Sequence, residues 1–176
     1  EFKEIIRQCF EIGWKSLPLI SLTGFIVGFV FTKQSRPSLE EFGATSWLPS
    51  LISIAIIRAL APLVTALIAS GKIGSQVGAE LSSMNVTEQI DAMEVSGTNP
   101  FKFLIVSRII ATTISIPILC FYVAGLGLLG GYLSLASVDD LSFLSFFTQV
   151  FEKIGYKDLW AMTFRAIVFG FTIGSV

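Results

Sequence analysis

Histidine is absent from this chain. Its absence removes the commonest general base and the commonest metal ligand. Only two cysteines occur, Cys9 and Cys120. They lie far apart, without the close spacing of a metal or redox site, and imply no disulfide framework. Charged residues make up 14% of the 176 residues, against about 25% in an ordinary soluble domain. The net charge of −1 offers no basic surface, which argues against nucleic acid as a partner. No nucleophile–base pair stands out, and no phosphate-binding loop of the GxxxxGK[ST] kind is present. Any ATP must therefore be used by a separate chain, and no cofactor is expected in this one. The first residues lack a starting Met and the basic–apolar–small order of a signal peptide. The chain opens at Glu1 and ends inside an apolar run, so it is expected to be a fragment.

What is there is grease. Apolar residues reach 53%, phenylalanine occurs 16 times, and the mean hydropathy is +0.77. A water-soluble fold of this size needs more polar surface than that. The expected fold class is an all-α integral membrane protein, a single helical bundle with four spans. Residues 1–15 read as an amphipathic helix lying in the membrane interface, because Phe2, Ile5, Ile6, Cys9, Phe10 and Gly13 recur at helical spacing. The spans are placed at 16–32, 47–70, 103–136 and 158–176. The uncharged run Ile109–Ala136 is about 42 Å long as a helix. It must tilt, bend at Pro117 or extend beyond the bilayer. The 138–156 connector holds an aromatic stretch, Phe143 to Phe151, that suits a helix on the far surface.

Lys and Arg alternate between the two sides of the membrane. Lys3, Arg7, Lys15, Lys72, Lys102 and Arg108 fall on one side; Lys33, Arg36, Lys153 and Lys157 fall on the other. The excess places the N-terminus and the 71–102 segment in the cytoplasm. Within that segment Asn85-Val86-Thr87-Glu88 has the form of a capping box. Val86, Ile90 and Met93 share one helical face, with Glu88, Asp91 and Glu94 elsewhere. From Ala79 to Pro100 there is no Lys or Arg. A short acidic helix is expected, too short to span. It suits docking into a groove on a partner, and equally a solvated bridge between spans.

Two arginines fall inside spans. A charge at mid-bilayer is costly unless paired or wetted. No Asp or Glu lies within the four apolar runs, Leu17–Thr32, Trp47–Ser70, Ile109–Ala136 and Leu159–Val176, so Arg58 is expected to meet backbone carbonyls, water, a lipid phosphate or another chain. Pro62 cannot donate to the carbonyl of residue 58, which leaves an acceptor free and permits a kink. A wet cavity and a purely structural arginine both fit. Arg165 is expected to snorkel toward an interface. The letters Gly125-Leu126-Gly127-Leu128-Leu129-Gly130 match a dinucleotide fingerprint but lack the strand it requires. The glycines read better as close-packing pairs: Gly24/Gly28, Gly74/Gly78, Gly127/Gly131 and Gly170/Gly174.

Thr65-Ala66-Leu67-Ile68-Ala69-Ser70-Gly71-Lys72-Ile73-Gly74-Ser75, then Gly78-Ala79-Glu80-Leu81-Ser82-Ser83-Met84 and Val86-Thr87-Glu88-Gln89-Ile90-Asp91-Ala92-Met93, resemble the MlaE/YrbE permeases. So does Asn99-Pro100 leading to Arg108. These are the membrane subunits of Mla- and Mce-type lipid ABC transporters of the bacterial inner membrane. The resemblance implies a homodimer of five-span subunits, a cytoplasmic ATPase that holds the ATP and Mg, and a periplasmic Mce-domain protein. It implies a coupling segment over 75–97 that meets the ATPase, drawing on Glu80, Glu88, Gln89, Asp91, Ala92, Met93 and Glu94. It also implies a lipid, a phospholipid or a relative of one, held between protomers, here by Phe31, Gln34, Arg36, Arg58 and Leu60. Two motifs depart. The family's Arg-Glu-Leu-Gly-Pro is Arg58-Ala59-Leu60-Ala61-Pro62 here, and Leu-Gln-Gly-Tyr is Lys33-Gln34-Ser35-Arg36. A channel, a membrane scaffold or a lipid-modifying enzyme are the rival classes.

Overall fold

The computed structural model describes residues 2–95, 105–137 and 142–175; for Phe2, Lys3, Glu4, Asp91, Met93 and Glu94 it describes the backbone alone. Among the described residues the chain is helical throughout, with no strand. Helix α1, Phe2–Gly13, runs through a 3-10 turn at Trp14–Ser16 into α2, Leu17–Glu41. A tight turn with Gly43 at φ +66° reverses the chain. Helix α3, Leu48–Ala55, passes through a π turn at Ile56–Leu60 into α4, Ala61–Val86. Then come α5, Gln89–Val95, α6, Ser107–Ala136, α7, Phe143–Lys153, and α8, Tyr156–Ser175.

Among the described residues, three stretches are long and apolar enough to cross a membrane: Ile5–Glu41, Thr45–Val86 and Ser107–Ala136. The fourth expected span, α8, has 20 residues, about 30 Å of helix, and carries Lys157, Asp158 and Arg165. The helices overrun the expected boundaries. The segment 33–41, read as a connector, continues α2 despite Pro37. The segment 71–86 continues α4. Polar side chains on one turn do not end a helix when the backbone bonds continue.

The long helix α6 lies at the centre, with α2, α8, α1 and α4 packed around it. Glycine sets the distance to two of these neighbours. A Cβ on Gly28 would fall on the carbonyl oxygen of Gly127, and one on Gly130 would fall on that of Phe25. On the α8 side, a Cβ at Gly170 would sit 2.9 Å from the Thr112 carbonyl oxygen. Three of the four glycine pairs read from the sequence thus lie at helix contacts. The fourth is different: Gly74 and Gly78 face open space. Buried hydroxyls are satisfied within their own helices, as Thr32 donates to the Gly28 carbonyl and Thr65 to that of Ala61 at 2.8 and 2.7 Å. This is the usual solution where water is scarce.

Large apolar side chains face outward as well as inward. Leu22, Leu67, Ile118 and Phe164 are each more than 60% exposed. On α1 the stripe Ile6, Phe10 and Trp14 points away from the bundle, while Gln8, Ile12 and Ser16 are buried. An interfacial helix has this arrangement: polar contacts to protein on one side, apolar side chains to lipid on the other. On α7, Phe146 and Val150 are buried, and Tyr132 of α6 meets Phe143 edge-on at 5.1 Å between ring centroids.

Candidate functional site

Two polar assemblies interrupt this apolar body. The first surrounds the π turn. Pro62 has no N–H, so the Arg58 carbonyl loses its helical donor, as the sequence predicts. The turn widens over Ile56–Leu60, and the freed carbonyl accepts a hydrogen bond from the Arg165 guanidinium of α8. Arg165, itself exposed, thus binds the acceptor that Pro62 leaves open. The Arg58 side chain was expected to lack an acidic partner within the spans. Instead its Nε lies 2.7 Å from Asp158 Oδ1, in the first turn of α8. The other oxygen of Asp158 accepts the Gly155 N–H at 3.1 Å. The acid that the resemblance puts at position 59 is an alanine, and Asp158 supplies a carboxylate from another helix. Asp158 was missed because it sits at the edge of its span, where sequence reading assigns charges to water.

The five residues expected to hold lipid do not form one cluster. Phe31 is half-buried against the core and Gln34 is exposed. Arg36 pairs with Glu40 one turn on, at 2.5 Å. Leu60 lines a small apolar notch with Val27, Val64 and Val123 beneath the π turn. Arg58 is exposed beside it, with Ala59.

The second assembly joins α1, α4 and α6 at the opposite end. Arg7 Nη2 lies 3.7 Å from Glu80 Oε1. Gln76 donates to Glu11 at 2.9 Å, and Lys72 donates to the Ser16 hydroxyl at 2.8 Å. Lys15 closes on Glu11 at 3.0 Å. The other Glu80 oxygen meets Arg108 of α6 at 2.5 Å, and Arg108 is 8% exposed. Residues 7, 11 and 16 thus face 80, 76 and 72, an antiparallel ladder with a rung about every turn. The signal was in the sequence: polar residues four apart on both helices.

Beyond the ladder, Asn85 does not cap a new helix, because α4 runs on to Val86. The Thr87 hydroxyl turns back to the Ser83 carbonyl at 2.8 Å. Glu88 takes a left-handed backbone, φ 54°, and makes the elbow into α5. The capping box therefore gives way to an elbow, since the apolar and small residues of α4 continue the helix past the expected start. Among the described residues α5 covers seven, Gln89–Val95. Gln89 and Ala92 are exposed; the side chains of Asp91, Met93 and Glu94 lie outside the described residues.

A bundle of long apolar helices, with two arginines meeting at a π turn and a short helix projecting from one end, defines a multi-pass membrane protein. The family described as Permease MlaE matches residues 5–176. A Rickettsia prowazekii protein named "Probable ABC transporter permease protein" is 34% identical over 98% of this chain and 66% of its own length. A Synechocystis protein of the same description is 32% identical over 99% of this chain and 66% of its own. The intermembrane phospholipid transport system permease protein MlaE of Haemophilus influenzae is 35% identical over 78% of this chain and 52% of its own. The chain belongs to the MlaE permease family. It spans about 66% of the length of the first of these relatives.

Proposed function

We propose that this chain is the permease subunit of an ATP-driven transporter that moves phospholipid, or a related lipid, between membranes. The observation that carries the reading is α4 with its elbow. Thr45–Val86 is one helical stretch of 42 residues, about 63 Å, roughly twice the ~30 Å hydrocarbon thickness. Its far part therefore stands clear of the apolar layer and carries α5, an acidic helix, as a projection. That is the shape of a part that meets a water-soluble partner, here the cytoplasmic ATPase, which holds the ATP and Mg. Glu88, Gln89, Asp91, Ala92, Met93 and Glu94 are the docking residues of this reading.

The lipid is held near the π turn. Arg58 and Arg165 lie together on a face with exposed Leu63, Phe164 and Val168. Two guanidiniums against one carboxylate leave an excess positive charge suited to a head-group phosphate, while the apolar face suits the tails. Phe31, Gln34, Arg36 and Leu60 line the outer approach. A second copy of the chain covers this face, and a periplasmic Mce-domain protein receives or delivers the lipid. The N-terminus is cytoplasmic and the membrane is the bacterial inner membrane.

Affinity purification followed by mass spectrometry of the complex tests this. The expected result is an ATPase subunit and phospholipid recovered with the chain, with the ATPase lost on Asp91→Lys plus Glu94→Lys. Recovery without an ATPase, or an association indifferent to that double reversal, refutes the reading.

A further inference from the structure

The lower half of α4 meets the apolar core at one half-buried side chain, Val77, among the described residues. Ile73 is its last buried residue. Beyond it Gly74, Ser75, Gly78, Ala79, Leu81 and Ser82 are exposed, and a Cβ at Gly74 or Gly78 would touch nothing. Glycines in a helix interior favour bending. The proposed ATPase-docking helix α5 hangs from the end of this stretch. Side-chain contacts hold it instead: the rungs Lys72–Ser16, Gln76–Glu11 and Glu80–Arg7 to α1, and Glu80–Arg108 to α6. Rungs one turn apart fix both the separation of two helices and their rotation about each other. Arg108 is buried, so parting it from Glu80 leaves a charge without its partner away from water, which is strongly unfavourable.

We propose that Glu80 is a positioning residue for energy coupling. Through it α1, the free half of α4 and the first turn of α6 move as one rigid piece, so that a push on α5 reaches α6 instead of bending α4 at its glycines. Glu80 does not touch the ATPase in this account; it acts through Arg108 and Arg7. The proposal rests on the reading of α5 as the docking helix.

The test uses the permease in its complex with the ATPase, reconstituted in phospholipid vesicles. Three quantities are read: ATPase co-purification, ATP hydrolysis and lipid transfer. Glu80→Gln keeps the side-chain shape and removes the charge. It is expected to keep co-purification and hydrolysis while lowering lipid transfer per ATP about tenfold, the scale of a lost coupling contact. The mirrored variant Arg7→Glu/Glu80→Arg/Arg108→Glu restores the alternation of charge and is expected to recover most of the transfer. A short chemical bridge between Glu11→Cys and Gln76→Cys, in a Cys9→Ser background, is expected to leave transfer intact, since a rigid piece is unharmed by being fastened. Unchanged transfer per ATP in Glu80→Gln overturns the proposal, and so does a mirrored variant that assembles without recovering, or a bridge that stops transfer. If wild-type permease and ATPase fail to associate at all, it is the docking reading of α5 that falls.

Discussion

The α2–α6 seam and the α1–α4 ladder both hold two helices together, by opposite means. In the seam backbone meets backbone, with Gly28 on Gly127 and Gly130 on Phe25, and one exposed Ser21–Tyr122 hydrogen bond at 2.9 Å lies beside them. At those glycine positions the separation is fixed, because there is no side chain to re-pack. The ladder is made of long polar side chains reaching across a gap, with Glu11 and Glu80 each serving two partners. Its helices are set apart by the reach of those side chains. In the membrane interior, where lipid tails are as apolar as leucine, close packing is the available source of association. At the ladder end, charge is admissible and gives direction as well as distance. One region fixes the scaffold; the other transmits through it.

The sharpest way to break this contrast is to fill the seam. Gly28→Leu places a side chain where the Gly127 carbonyl stands. Neither helix can yield locally, so the expected cost is above the ~1–3 kcal/mol of ordinary overpacking. The measurement is the yield of monodisperse protein in detergent and its melting temperature. Gly74→Ala is the control at the same residue type. Space is open there, so stability should stay level or rise by up to about 1 kcal/mol from helix propensity. A large loss in this control would mean that the open glycine face is covered by another chain.

A second, smaller effect belongs to the π turn. Arg165→Met removes the donor to the Arg58 carbonyl, a hydrogen bond worth about 0.5–1.5 kcal/mol. Melting should fall by about 2–4 °C per kcal/mol for a chain of this size. Asp158→Asn frees Arg58 from its counter-charge. It should raise the phospholipid recovered with the protein, measured by mass spectrometry, whereas Arg58→Ala should lower it. If the two variants move lipid recovery the same way, the charge reading of the π turn is wrong. The smallest effect is expected at the exposed rung. Glu11→Ala loses a surface pair with Lys15 and a hydrogen bond from Gln76. Its cost should stay within about 1 kcal/mol and shrink with added salt, which melting at two ionic strengths decides.

Much of the bundle was legible in the sequence because two signals are strong: long uncharged runs and paired glycines. Ile109–Ala136 reads as a helix from composition, and it is one. The free carbonyl at residue 58 was legible too, since it follows from proline's covalent structure alone. Its donor was not. Arg165 lies 107 positions away, and pairing across that separation is decided by how α8 lies on α6. Asp158 escaped for the same reason. The helix ends at 41 and 86 escaped for a different one. Sequence reading ends a span where charges begin, whereas a helix ends where its backbone bonds stop. The elbow at Glu88 shows a local motif losing to its context: the capping box needs Asn85 out of the helix, and α4 keeps it in.

The unbroken stretch from Thr45 to Val86 has a consequence in leverage. Past the 3-10 turn at Thr45–Trp47 that opens it, the helix widens at Ile56–Leu60, nearer one end than the other. If that point is the fulcrum, the arm toward Val86 measures about 40 Å and the arm toward Thr45 about 17 Å. A tilt of about 5° then swings the long end about 3.5 Å and the short end about 1.5 Å. A modest stroke at the elbow is geared down into a smaller displacement at the Thr45 end, delivered with correspondingly greater force.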